Sequence, residues 1–404
     1  MKSIRSHAIW MVLGNGGYAF FQGLIMILIS KMLGVESLGL FSIALALSAP
    51  IMIFSNFGMR TLWITDNKKD FEFNDFKVVR VICSIAAMII VVALGGILYG
   101  ENNELLIVIF IVSLSKVIEN FSDLFYGYYH KKREQKKVAI SLLCRSALGV
   151  IGIAIGLFFF NNLIVALVFY LLGWLLSFLI FDYDFELDLK TIKKVHFRHI
   201  FISGLPLGIA LFFINANLMT PRLILNEYNG VEIVGIFTAL YFFFQIGSVV
   251  INSLGQALLP DLSKYWFDGE KNKHLKLVLF IFVFIVSTCF ASSIIFYFLG
   301  QGILSIIYGE AVAEYNWVLV LLFLISPLQY IVSFMGHVIS STGKNRSLAV
   351  NNILTFLINI VLCLVFIPRF GVYGVLISMG VYNLLALLMA LNTYLKSYKE
   401  VVYE

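Results

Sequence analysis

The residues in this 404-residue chain best placed to do chemistry lie where water is scarce. Lys116, Glu119, Asn120, Asp123 and Gly127 sit in one long apolar run at spacings i, i+3, i+4, i+7 and i+11. At 100° per residue of α-helix they span about 100° of arc, a single polar stripe. Lipid does not accept such a stripe, because a charge at mid-bilayer costs at least a few kcal/mol. It faces a partner helix or a water-filled cavity. Two readings stand together: an ion-pair ladder in which Lys116 bonds Glu119 or Asn120, and the lining of a translocation pathway.

Arg145 lies about seven residues into the next run and Asp123 about six residues from the end of its own, which at ~1.5 Å per residue places them at similar depth in an antiparallel hairpin. A buried charge needs a partner, so Asp123 and Arg145 are expected to pair. Arg60 closes the second run, either snorkelling to an interface or facing the cavity. Arg222 follows Pro221 at the end of the seventh and suits a cavity mouth. Single amides such as Asn15, Gln22, Asn252, Gln329 and Asn383 recur across the chain. They read as interhelical hydrogen-bond glue, or as a set able to bind sugar hydroxyls. Gly14-Asn15-Gly16-Gly17 and Gly204-Leu205-Pro206-Leu207-Gly208 interrupt the first and seventh runs at matched places, for bending and substrate contact or for close packing.

The elements that position these residues follow from composition. The chain is 60% hydrophobic and 13% charged, whereas a soluble domain is about half apolar and a quarter charged. Inside hydrocarbon every backbone polar group needs an internal partner, leaving helices or a closed barrel. The apolar runs are continuous rather than alternating and about 20 residues long, the length of a transmembrane helix. They cover 8–30, 38–57, 81–98, 105–129, 138–160 and 163–181, then 200–225, 231–254, 275–299, 317–339, 348–367 and 372–395. The run at 8–30 is too long for a signal-peptide core and reads as an uncleaved first helix. Asn161-Asn162 and Pro368–Gly371 read as tight hairpins, since merging either pair makes a span far longer than a bilayer needs.

Lys and Arg fix the orientation, because short cationic loops stay in the cytoplasm. With the N-terminus inside, 24 of the 29 Lys and Arg residues fall on inner segments, while Lys31, Arg222 and Arg369 fall outside. The other two, Lys116 and Arg145, lie within spans. Both termini of this multi-pass membrane protein are therefore expected in the cytoplasm. The net charge of +6 reflects topology and calls for no nucleic-acid partner.

The halves resemble each other. Residues 34–42 read GVESLGLFS and residues 230–238 read GVEIVGIFT, five of nine identical. Six spans per half bring both halves in from the same side, so the expected symmetry axis lies along the membrane normal. The expected fold is an all-α polytopic membrane protein of twelve transmembrane helices. It divides into six-helix bundles at 1–181 and 200–404, joined by a cytoplasmic connector at 182–199. Cys83, Cys144, Cys289 and Cys363 all fall in apolar runs and read as small apolar residues, with no metal site or cofactor expected. The outer loops are short, which leaves no extramembrane platform for an enzyme.

Several short motifs resemble the polysaccharide flippase family of the multidrug, oligosaccharidyl-lipid and polysaccharide exporter superfamily. They are Leu33-Gly34-Val35-Glu36-Ser37-Leu38-Gly39-Leu40-Phe41, Phe54-Ser55-Asn56-Phe57-Gly58-Met59-Arg60, Gly204-Leu205-Pro206, Gly230-Val231-Glu232 with Gly235, and Phe370-Gly371-Val372-Tyr373-Gly374. The resemblance implies two six-helix bundles around a central cavity. It implies transfer of an undecaprenyl-diphosphate-linked oligosaccharide, such as an O-antigen unit, to the periplasmic leaflet by ion-coupled alternating access. A polymerase and a chain-length regulator of the same pathway are the implied partners, beside the membrane lipid. The cavity residues expected on this reading are Arg60, Lys116, Glu119, Asn120, Asp123, Arg145 and Arg222. A cation-coupled drug exporter of the same fold stays open, although such exporters place acidic residues in the first or seventh span and this chain has none there. A glycan polymerase or acyltransferase fits less well, for lack of a large outer loop and of an evident His- or Asp-based motif.

Overall fold

The computed structural model describes residues 2–65, 72–182 and 194–403. Among the described residues every regular element is helical, and twelve segments are long and apolar enough to cross a bilayer. The helices are α1 (Lys2–Leu33), α2 (Val35–Phe54), α3 (Met59–Thr65), α4 (Phe73–Tyr99), α5 (Asn103–Lys131), α6 (Gln135–Phe160) and α7 (Leu163–Ser177), the last extended by a π-helical turn at Phe178–Asp182. They continue with α8 (Lys194–Asn229), α9 (Val231–Phe267), α10 (Lys271–Tyr308), α11 (Glu310–Ala313), α12 (Asn316–Ser341), α13 (Asn345–Phe370) and α14 (Val372–Tyr403). α2 and α3 together form the second span. This is the all-α, twelve-span architecture expected from the apolar runs.

Two compact units make up the chain, Met1–Leu223 and Ile224–Glu404. In the first, α6 packs on α1 and α7, and α5 on α2 and α4. In the second, α12 packs on α9, α10 and α14, and α13 on α14. The division falls inside α8, whereas a connector at 182–199 was expected; most of that connector lies outside the described residues. The reason is packing. Phe201 packs against Phe57 with ring centroids 4.7 Å apart and the rings tilted by 47°, and Phe212 meets Phe54 at 6.0 Å, which ties the first part of α8 to the first unit.

The repeated Gly-Val-Glu elements fold alike. Gly34 (φ 90°, ψ 173°) caps α2 and Gly230 (φ 84°, ψ 170°) caps α9. Each donates its N–H four residues back, to Ser30 O at 2.9 Å and Asn226 O at 3.0 Å. Positive φ is where a side chain strains the backbone, so both positions call for glycine. The two tight hairpins are present as well. Asn161 adopts the left-handed conformation after α6, and the Asn162 side chain accepts the Val165 N–H at 3.0 Å to start α7.

Three expectations need correction. The second span does not end at Phe57: it breaks there and resumes as α3, with Phe57 (φ 45°) and Gly58 (φ 58°) both left-handed. The glycine-rich stretches do not interrupt α1 or α8, which run through them unbroken. They serve close packing instead, since a Cβ on Gly14 would meet the Ala139 backbone and one on Gly204 the Phe57 carbonyl. Finally, α4 begins eight residues before its apolar run, so Lys77 and Arg80 are buried in its first turns rather than placed in a loop. A capping box between Glu72 and Asp75 starts it early.

The amides act mostly as glue in the second unit. Gln329 accepts from Tyr382 and Asn383, joining α12 to α14, and Ser333 donates to Asn252 at 3.0 Å, joining α12 to α9. Cys83, Cys289 and Cys363 are buried free thiols, and Cys144 is partly exposed.

Candidate functional site

Within the first unit, α1, α3, α5 and α6 enclose a cavity of about 200 Å³. It runs from His130 and Gln135 at the α5–α6 turn to Glu119 and Arg145, about three helical turns deeper. Arg60, Asp123, Tyr18 and Asn15 complete its polar lining.

The stripe on α5 supplies the acids. Glu119 accepts from three groups: Lys116 Nζ at 2.7 Å, Tyr18 OH of α1 at 2.9 Å and Arg145 Nη2 of α6 at 3.5 Å. The Lys116–Glu119 rung of the expected ladder is thus present, although Lys116 itself does not line the cavity. One turn along, Asp123 Oδ1 takes Arg60 Nη1 at 2.9 Å, and its other oxygen lies 4.0 Å from Arg80 Nη2. Arg80 is fully buried and its Nη1 also donates to Asn56, in the break between α2 and α3. Gly127, the last member of the stripe, lets α3 cross: a Cβ there would meet Arg60 Cγ at 3.2 Å.

The expected Asp123–Arg145 pair is not formed. Both residues line the cavity, yet Arg145 reaches the deeper Glu119 while Asp123 is claimed by Arg60 and Arg80. α6 starts at Gln135 and α5 runs on to Lys131, so Arg145 lies ten residues into its helix (145 − 135) while Asp123 lies eight from the end of its own (131 − 123), which leaves Arg145 the deeper of the two.

Arg145 is 2% exposed and boxed by aromatic rings, its guanidinium carbon 4.7 Å from the centroid of Trp174, 5.7 Å from Tyr18 and 5.8 Å from Tyr126. Gly149 on α6 lets Trp174 and Tyr170 of α7 come that close, as a Cβ there would meet both rings. The Nε and Nη1 groups of Arg145 find no hydrogen-bond acceptor among the described residues. Below it, Tyr126 OH and Ser141 Oγ lie 2.8 Å apart, and Ser141 donates to the buried Asp182 at 2.9 Å.

Asn120 and Arg222 are elsewhere. Asn120 donates to Met52 O at 3.0 Å and Ser55 Oγ at 3.3 Å, fastening α5 to the last turn of α2. Arg222 is buried on α8, donating to Leu218 O at 3.0 Å. Sequence reasoning missed Arg80, His130, Tyr18, Trp174 and Asp182. Arg80 and Asp182 fall just outside apolar runs, and the helical phase from Phe73 was the one signal available for Arg80. Aromatic residues in an apolar helix carry no signal at all, because their spacing is that of any core face.

Four cationic side chains, Arg60, Arg80, Lys116 and Arg145, thus meet two carboxylates, Glu119 and Asp123, with Asp182 beyond Ser141 as the third acid nearby. Positive charge is in excess, and part of it is unanswered.

The sequence and fold match known proteins. The family described as polysaccharide biosynthesis protein matches residues 4–266. The capsular polysaccharide biosynthesis protein CapF of Staphylococcus aureus is 30% identical over 395 residues, covering 94% of this chain and 96% of that protein. Two solved structures share the fold. An inward-facing multidrug resistance MATE family transporter of the MOP superfamily superposes with a TM-score of 0.79 at 13% identity, covering 95% of each chain. The lipid II flippase MurJ, in an inward closed conformation, gives 0.77 at 15% identity, covering 97% of this chain and 89% of that one.

Proposed function

We propose that this chain, which belongs to the polysaccharide biosynthesis protein family, is a flippase that moves a lipid-diphosphate-linked oligosaccharide from the inner to the outer leaflet by alternating access. The observation that carries this reading is Arg145: a buried guanidinium facing a cavity with two N–H groups unanswered. A cation held so deep is poorly hydrated, and an anion that brings its own acceptors would satisfy it. A diphosphate offers such acceptors and spreads its charge over several oxygens. Its polyprenyl tail would stay in the bilayer while the cavity takes the head.

The cargo we favour is an undecaprenyl-diphosphate-linked repeat unit of a capsular polysaccharide. The CapF relative is named for capsule biosynthesis, which supports capsule over O-antigen. An ion gradient would drive the cycle, a polymerase and a chain-length regulator would act on the product, and no bond is broken in transport, so the chain is not an enzyme. The excess of Lys and Arg on inner segments supports a plasma-membrane topology with both termini in the cytoplasm. The fold is equally that of a MATE transporter. A drug exporter of cationic compounds would nevertheless be served poorly by a cavity whose two carboxylates are already held by four cationic side chains.

The test is complementation of a capsule strain lacking its flippase. Restored surface glycan with the wild-type chain, lost in Arg145→Gln at equal protein level, is the expected outcome. Drug resistance without glycan display would replace this reading by the exporter one.

A further inference from the structure

His130 Nε2 lies 2.8 Å from Arg60 Nη2. A guanidinium has only N–H donors, so this contact forms only while Nε2 keeps its lone pair and the imidazole proton sits on Nδ1. The other arm of Arg60 is held by Asp123 at 2.9 Å. All three side chains line the cavity. The charged and titratable groups that face it with them are Glu119 and Tyr126 from α5 itself, Tyr18 from α1 and Arg145 from α6. Lys131, next in the chain, turns to the Trp63 carbonyl at 2.8 Å instead.

A proton on Nε2 removes the acceptor and sets two cations against each other. Arg60 would then keep Asp123 and release Nη2 into the cavity, next to a new imidazolium N–H. A phosphate oxygen can accept from both, and a bound anion in turn holds the proton on. We propose that His130 is a proton-binding site linked to anion binding in this cavity: proton uptake at Nε2 frees Arg60 Nη2 for a phosphate group. The inference rests on the cavity receiving the diphosphate and deepens that reading by adding a proton that binds together with the anion. Linkage is reciprocal, so whatever the proton does for the anion, the anion does for the proton.

The experiment is calorimetric titration of the purified full-length protein with inorganic pyrophosphate near neutral pH, in buffers of different ionisation enthalpy. The buffer dependence counts protons taken up per pyrophosphate bound, and the difference between proteins removes the contribution of pyrophosphate itself. Wild type is expected to take up about one proton more than His130→Gln, whose amide oxygen keeps an acceptor for Arg60 but cannot titrate. Equal uptake in both overturns the role of His130 while leaving the anion site standing. Absence of binding heat in wild type overturns the anion site, and the linkage with it. His130→Asn repeats the comparison if thermal unfolding shows the glutamine variant misfolded.

Discussion

Arg60 and Asp123 meet at 2.9 Å although 63 residues separate them, because the second span breaks at Phe57-Gly58 and resumes at an angle that carries Arg60 onto α5. A span continuing straight would end Arg60 in the headgroups, free to snorkel. The break instead turns an interfacial cation into part of the cavity wall. Asn56, inside the break, also holds Arg80, so the same irregular segment places two arginines beside one carboxylate.

The pair makes the first prediction. Asp123→Asn leaves Arg60 and the buried Arg80 short of a counter-charge, and for a pair about a third exposed that costs about 1–3 kcal/mol. Unfolding temperature of the purified protein should fall in Asp123→Asn and recover in part in Asp123→Asn combined with Arg60→Gln. A double variant no more stable than the single one would show that Arg60 is not the partner that matters.

Arg145→Lys tests the aromatic box. Lysine keeps the charge but loses the planar group that lies over Trp174 and the buried N–H groups that find no acceptor among the described residues. If Arg145 contacts the cargo, losing one charge-assisted contact of about 1.5–3 kcal/mol lowers transport roughly tenfold to hundredfold. Surface glycan measured at equal protein level checks this, with Arg145→Gln as the lower bound.

Asn120 offers a control that separates packing from chemistry. It lies in the stripe yet bonds the Met52 carbonyl and Ser55 on α2. Asn120→Ala should lower stability by about 1–2 kcal/mol through the lost hydrogen bonds and leave pyrophosphate affinity within a factor of about two. A large loss of affinity with normal stability would return Asn120 to the cavity.

Gly156 tests the α6–α7 hairpin. A Cβ there would collide with the Ala166 backbone, and backbone cannot rotate away as a side chain can. Gly156→Val is expected to cost about 1–3 kcal/mol or to abolish insertion of the folded protein. Gly302→Ala, inside α10 where a Cβ meets nothing within 4 Å, should instead hold or raise the unfolding temperature, by up to about 1 kcal/mol of stability.

The membrane architecture was decided by the sequence alone. Hydrocarbon leaves a helix so few alternatives that twelve apolar runs imply twelve spans, and the hairpins at Asn161-Asn162 and Gly371 are written in local turn chemistry. The Gly-Val-Glu repeat likewise announced two matching caps, because only glycine is at ease at φ near 90°. That α5 carries a polar stripe also followed from 3.6-residue periodicity.

Which partners the stripe takes was decided only by tertiary structure. Periodicity places Glu119 and Asp123 on one face but says nothing of what packs there. Arg145 went to Glu119 because both helices run past their apolar runs at the α5–α6 turn and leave it deeper than Asp123, and Asp123 went to Arg60 because a backbone break, invisible in hydropathy, brought α3 across. Charge pairing acts over a few ångströms, the rise of about two residues on a helix. A boundary uncertain by two or three residues therefore preserves the fold and the Lys116–Glu119 pair within one helix, and reassigns the ion pairs between helices.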